Sequence, residues 1–293
     1  MEKETNNGLQ NRSIGIFDSG VGGLTVYRAL HARLPHERFV YLGDTARVPY
    51  GTKSLQTVER YAVENARFLA ARGIKLLVVA CNTASALALP AIRQAVAIKV
   101  VGVIEPGARK AVATAKNRIG VIATEATVGS RAYSAAIKNL APACAIVETA
   151  CPLFVALAEE GWANAPEASS IARQYLQKII EANVEALVLG CTHYPILRGV
   201  IQEIVGENVT LIDSGEATAE TVADVLKSGN LDAPSSNDFP QLSERRELCD
   251  DLDHFYVTDA ADRFARVAER FLGTKPARLE AVEVWGMDEL HTN

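Results

Sequence analysis

The chain has 293 residues, 48% of them hydrophobic, enough for one large or two medium domains with cores of their own. Its formal net charge is −5 with Lys and Arg scattered along the sequence, which argues against a nucleic-acid partner. No apolar run reaches the roughly 20 residues that cross a bilayer, and the N-terminus is polar where a signal peptide would be apolar, so no membrane partner is expected and the cytoplasm is the expected location.

In chain order, residues 1–12 read as a disordered tail. A strand over Ser13–Phe17 runs into the turn Asp18-Ser19-Gly20-Val21-Gly22-Gly23, followed by a helix over Leu24–Leu34 and a strand over Phe39–Leu42. Strand, helix, strand is the opening of a βαβ unit. A helix over Thr57–Arg72 stops at Gly73, because glycine accepts the left-handed conformation just past a helix end. The run Leu76-Leu77-Val78-Val79-Ala80 reads as a strand buried on both faces, and it ends in Cys81-Asn82-Thr83. A strand over Val100–Ile104 and the break Glu105-Pro106-Gly107 close the first unit.

The second unit repeats this order. Strands are expected over Ile119–Ile122, Ala145–Glu148, Ala186–Leu189 and Thr210–Ile212. Helices are expected near Arg131–Leu140 and over Leu153–Glu160, Ala168–Ala182 and Pro195–Val205, the last closed by Gly206. After Asp213 come a helix over Ala217–Leu226, a polar loop with Pro234 and Pro240, a strand over Phe255–Val257 and a helix over Ala260–Leu272 with Asp259 as its N-cap. This late set is too small for a domain and is expected to pack back on the first unit. The expected organisation is α/β, two pseudo-symmetric domains with mainly parallel sheets. The first is discontinuous, 13–105 and 214–293; the second is 106–213, and the active site lies in the cleft between them.

Internal repetition supports two such halves. Ile14–Asp18 resembles Ile119–Ala123 at an offset of 105, Cys81 and Cys191 are 110 apart, and Val103–Glu105 and Leu211–Asp213 are 108 apart. Cys81 and Cys191 therefore occupy matching positions, each where a strand gives way to a loop or helix, the end of an open α/β sheet where ligands bind. If the halves face each other, so do the thiols.

The five cysteines are odd in number and widely spaced, which suits thiols better than a disulfide framework. Cys144, Cys151 and Cys249 read as buried small hydrophobes. Cys81 and Cys191 read as functional, since thiols near helix N-termini are activated. His193 could orient or protonate Cys191, and Asp18 could do the same for Cys81, although an Asp after a strand also serves as a cap. Zinc is not expected, because Cys191-Thr192-His193 is not a usual ligand spacing. The Asp18–Gly23 turn lacks both the dinucleotide pattern and the phosphate-loop lysine, and no Cys-x-x-Cys supports a redox pair. Acid–base work by two similar groups on opposite sides of one carbon remains: one thiolate removes a proton and one thiol returns it on the other face, which is racemisation.

Five motifs make the reading specific: Ile16–Leu24, Gly43–Gly51, Ala80–Ser85, Ala150–Val155 and Gly190–Pro195. Their order and spacing, from about Ser13 to Gly273, resemble those of the glutamate racemases. The resemblance implies an enzyme that uses no cofactor and no metal, interconverting L- and D-glutamate for peptidoglycan. It implies that Cys81 acts on the α-proton of the D-isomer and Cys191 on that of the L-isomer, assisted by Asp18 and His193, with Glu159 assisting near His193. It implies that Asp18, Ser19, Pro49, Tyr50, Gly51, Asn82, Thr83, Thr127, Thr192 and His193 hold the amino acid. Ala156 stands where many relatives have proline, a departure that concerns a helix start more than the site. Aspartate or another amino acid as substrate, a single-thiol hydrolase or decarboxylase, and a non-catalytic binding protein are the alternatives. A homodimer is the default assembly.

Overall fold

Short apolar strands separated by helices can pair only through crossover connections, which makes the sheets parallel and buries both of their faces. The computed structural model describes residues 6–233 and 246–285. The described elements begin with α1 (Asn6–Gln10), β1 (Ile14–Asp18), α2 (Leu24–Arg33), β2 (Phe39–Gly43), α3 (Leu55–Ala70), β3 (Leu76–Val79), α4 (Asn82–Leu87), α5 (Leu89–Ala95), β4 (Lys99–Gly102) and α6 (Ile104–Thr114). There follow β5 (Arg118–Ala123), α7 (Glu125–Ser130), α8 (Ala132–Leu140), β6 (Ala145–Ala150), α9 (Leu153–Glu160), α10 (Pro166–Glu181), β7 (Ala186–Gly190), α11 (Arg198–Val205) and β8 (Thr210–Asp213). Last are α12 (Ser214–Gly229), β9 (His254–Val257), α13 (Ala261–Leu272) and β10 (Leu279–Ala281).

The strands form two sheets, ordered β10-β9-β2-β1-β3-β4 and β6-β5-β7-β8, and every pairing is parallel. The four strands β2-β1-β3-β4 have the same order as β6-β5-β7-β8, which is the repetition seen in the sequence. The central strands β1, β3 and β7 are buried along their whole length. One apolar cluster runs from Ile14, Ile16 and Tyr27 in the first half to Leu187, Leu189 and Leu211 in the second, with Val222 and Leu226 of α12 between them. The two sheets therefore share a core, and α12 packs on both α2 and α6. Separate clusters cover the outer faces, around Phe17, Leu77 and Val79 on one sheet and Val121, Tyr133 and Val188 on the other. Among the described residues, no helix is long and apolar enough to cross a membrane.

Several expectations need correction. The tail is not structureless throughout: Asn6–Gln10 forms α1, and buried Lys75 donates through Nζ to the carbonyls of Gln10 and Leu231, both at 2.8 Å, while pairing with Glu37 at 2.6 Å. A buried ammonium must find acceptors, and this one holds the N-terminal segment. Ile104–Thr114 is helix, not the end of a strand and a break. Pro106 lies in its first turn, where the missing N–H removes no helical bond. Asp259 does not cap α13; its Oδ1 accepts from the N–H of Ala260, which takes a left-handed conformation with φ 51°, and the helix starts one residue later. The expected loop around Pro234 and Pro240 lies outside the described residues. The strand at Phe255 pairs with β2 on one side and with β10, which the sequence reading did not anticipate, on the other.

The segment before β9 is fastened by a buried carboxylate. Asp253 is fully buried, accepts from Tyr27 Oη and from the N–H of Phe39, each at 2.8 Å, and pairs with Arg246 at 2.8 Å. Removing it strands two buried donors, Tyr27 Oη and the N–H of Phe39, and takes one of the two carboxylates that Arg246 pairs with. Asp253→Ala is therefore expected to lower the unfolding free energy by about 3–5 kcal/mol. Urea denaturation measures this; a loss below about 1 kcal/mol would contradict the role.

Candidate active site

Each thiol follows a central strand: Cys81 comes two residues after β3 and leads directly into α4, and Cys191 comes directly after β7. Strand β1 ends at Asp18 and β5 at Ala123, so the turns that follow, Ser19-Gly20 and Thr124, point the same way as the thiols. These strand ends from the two sheets surround one cavity of about 360 Å³. Ser19, Pro49, Tyr50, Gly51, Cys81, Asn82, Thr83, Glu159, Cys191, Thr192 and His193 line it.

Two expected residues stand behind the wall. Asp18 is fully buried; its Oδ2 accepts from the N–H of Gly20 at 2.8 Å, and its Oδ1 has no partner among the described residues. Thr127 reaches the cavity only through other hydroxyls, 3.2 Å from Thr83 Oγ1 and 2.9 Å from Thr124 Oγ1. Tyr50 lines the cavity, but its hydroxyl donates to buried Asp44, which also accepts from Arg47, Asn65 and Thr258. That network pins the loop carrying Pro49-Tyr50-Gly51 and leaves the loop's backbone and ring, not the phenol, for a ligand.

Thr124, Val48 and Arg263 also line the cavity and were missed. The offset that aligns Ile14 with Ile119 also aligns Ser19 with Thr124, so the repeat itself carried a signal for Thr124. Arg263 comes from a helix far along the chain and left none. Ala156 lies inside α9 and lines the cavity, so the departure there touches the site as well as the helix.

The polar groups are coupled. Cys81 Sγ lies 3.4 Å from Ser19 Oγ. Burial pushes its thiol up to about 12, helped by the charge of Asp18 and opposed by the Ser19 hydroxyl and the N–H of Ala84. Burial also raises the Asp18 carboxyl, while the charge of His193 and nearby backbone N–H groups pull it back. His193 Nδ1 is 3.8 Å from Cys191 Sγ and its Nε2 is 3.0 Å from Glu159 Oε1. Burial alone would lower its imidazole, but the bonds to Cys191 and Glu159 win and raise it to about 10. Burial acts to raise Glu159, and its bonds to His193 and Arg263 outweigh that and hold it below the usual carboxylate range.

Residues 14–222 match the sequence model of the Asp/Glu/Hydantoin racemase family. The chain belongs to this family. This racemase is 54% identical over 265 residues to the glutamate racemase of Geobacter metallireducens, covering 90% of this chain and 94% of that one. Its structure matches glutamate racemase isoform RacE1 from Bacillus anthracis with a TM-score of 0.85 at 35% identity, covering 94% and 98% of the two chains. It matches the glutamate racemase of Francisella tularensis, solved in complex with D-glutamate, with a TM-score of 0.84 at 38% identity over the same shares. The racemase is an isomerase with the two-sheet α/β fold of these relatives.

Two outcomes follow for this racemase. Because the folded value for His193 lies near 10 and a free imidazole titrates near 6.5, the folded state keeps a proton that the unfolded state loses between these values. Stability from this pair is complete below about pH 6.5 and fades as pH rises to about 10. His193→Asn should thus destabilise the protein more at pH 6 than at pH 10 in urea melts, and an equal effect at both would contradict it. Second, with the Cys81 thiol raised to about 12, its iodoacetamide labelling in the empty enzyme should climb through pH 10 without a plateau, followed by peptide mass spectrometry.

Proposed function

We propose that this racemase interconverts L- and D-glutamate by a two-base mechanism without a cofactor, working in the cytoplasm and supplying D-glutamate for peptidoglycan. The observation that carries the reading is that Cys81 and Cys191, from different sheets, line one cavity of about 360 Å³, a size that suits a small molecule. The names of its relatives support glutamate as the substrate.

In the D-to-L direction Cys81 takes the α-proton and the Cys191 thiol delivers one to the opposite face; the reverse direction exchanges the roles. His193, charged at neutral pH, returns the proton to Cys191, and Asp18 serves Cys81 from beneath. Burial holds Cys81 as a thiol, its acid form. Its service as a base requires the entering ammonium group, whose charge favours the thiolate strongly in a cavity of low polarity.

Uncharged donors hold the carboxylates. Ser19, Thr83 and Thr192 supply hydroxyls, backed by Thr127, and Asn82 supplies an amide. Tyr133 Oη donates to Asn82 Oδ1 at 2.7 Å and fixes the amide, whose buried Nδ2 has no partner among the described residues and is free for a ligand oxygen. The test is racemisation of L-glutamate in deuterated solvent, read by NMR. The D-product should carry deuterium at Cα; inversion without wash-in would defeat the mechanism, and equal turnover of L-aspartate would defeat the choice of substrate.

A further inference from the structure

His193 is the middle of a chain of contacts that ends on a helix from the other half of the molecule. Glu159 Oε1 faces His193 Nε2, its Oε2 accepts from Arg263 at 2.9 Å, and its backbone carbonyl accepts from Arg270. Phe271 sets its ring edge-on to the imidazole, with centroids 6.0 Å apart. Arg263, Arg270 and Phe271 all belong to α13, which packs on α2 and β10 of the first sheet's layer. Glu159 belongs to α9, between β6 and β7 of the second. The clamp therefore crosses from one half to the other beside the cavity, which Arg263 itself lines.

We infer that Arg263 is a positioning residue for racemisation: it holds Glu159 Oε2 so that Oε1 fixes the His193 ring against Cys191. A glutamate side chain loses rotamer freedom when it serves one imidazole. Here that freedom is reduced, because Arg263 holds the far oxygen, while Arg270 on the backbone carbonyl ties the end of α9 to α13. The guanidinium also shares the carboxylate charge, which helps His193 hold Glu159 below the usual carboxylate range. Cys191 on the same loop, Asp18 from β1 and Glu159 from α9 face His193; Arg263 and Arg270 from α13 face Glu159.

The inference rests on His193 and Cys191 acting as the acid–base pair proposed above, and the experiment separates the two. Steady-state racemisation is compared for Arg263→Gln, Arg263→Lys, Glu159→Gln, the Arg263→Gln/Glu159→Gln double variant and His193→Asn. Arg263 has 55% of its side chain exposed, so its pair with Glu159 is worth at most a factor of about five. Arg263→Gln should lower kcat about three- to fivefold at unchanged KM and move the alkaline limb of the pH profile upward, because Glu159 then answers to His193 alone. Arg263→Lys should recover most of the loss, and Arg263→Gln should add nothing once Glu159 is Gln. A raised KM at unchanged kcat would make Arg263 a substrate contact and overturn the inference, as would full additivity in the double variant. Wild-type activity in His193→Asn would instead sink the acid–base reading itself.

Discussion

Serine at either Cys81 or Cys191 is expected to lower racemisation about 10²- to 10⁴-fold, the usual contribution of a positioned acid or base. The substitution changes little in shape, and both sites are closely lined, so the loss is chemical: a hydroxyl is a much weaker acid than a thiol. Each direction of the reaction needs one thiol as base and the other as acid, so neither enantiomer escapes the loss. The two enantiomers have equal free energy in water, which makes the equilibrium constant one and forces kcat/KM to fall equally from both sides. Polarimetry or circular dichroism started from each enantiomer checks this. Retention of more than about a tenth of the activity by either variant points to single-thiol chemistry. Cys144→Ser is the control, since Cys144 is buried in the second sheet's outer core and takes no part in the cavity.

Gly22→Ala is expected to cost about 10²-fold in kcat and about 1–3 kcal/mol in stability, the usual cost of overpacking, while the protein still folds. A Cβ on Gly22 would stand 2.2 Å from Thr192 Oγ1 and 2.5 Å from His193 Cε1, so the methyl and these side chains cannot keep their places. Thr192 is held by its carbonyl, which accepts from Thr25 at 2.8 Å, and His193 is held by Glu159 and the edge of Phe271. The imidazole must therefore move against its supports and away from Cys191. Displacement of about 1 Å at such a group costs on the order of 10²-fold. Kinetics paired with a urea melt separates this from misfolding: unchanged kcat would mean the ring can yield without consequence. The turn's glycine is needed for space where one half of the molecule touches the other, not for an unusual backbone conformation.

The strands were legible because their signal is local. Runs such as Leu76–Val79 and Ala186–Gly190 are apolar on both faces, and only a parallel sheet covered on both sides accommodates them. The thiols at the ends of two such runs were legible for the same reason. Helix α6 was hidden because Pro106 and Gly107 look like a break, and only the structure shows the proline in the first turn and the glycine against Tyr133, whose ring a Cβ would approach to 3.3 Å. The sequence placed Tyr50 among the residues that hold the ligand but left open which of its atoms is available; the structure gives its hydroxyl to Asp44, buried and gathering four donors.

By itself the sequence determined the duplicated α/β plan, the strand ends that carry Cys81 and Cys191, and the turn that brings Ser19 beside them. Periodicity and spacing record these, because each depends on neighbours within a few residues. The tertiary structure alone decided that the two halves share a core through α12, that Asp18 lies beneath the cavity wall, and that Arg263 reaches Glu159 from α13. Such contacts join residues about a hundred or more positions apart. Their strength depends on burial and on the direction of a single bond, and neither leaves a pattern in the local order of residues.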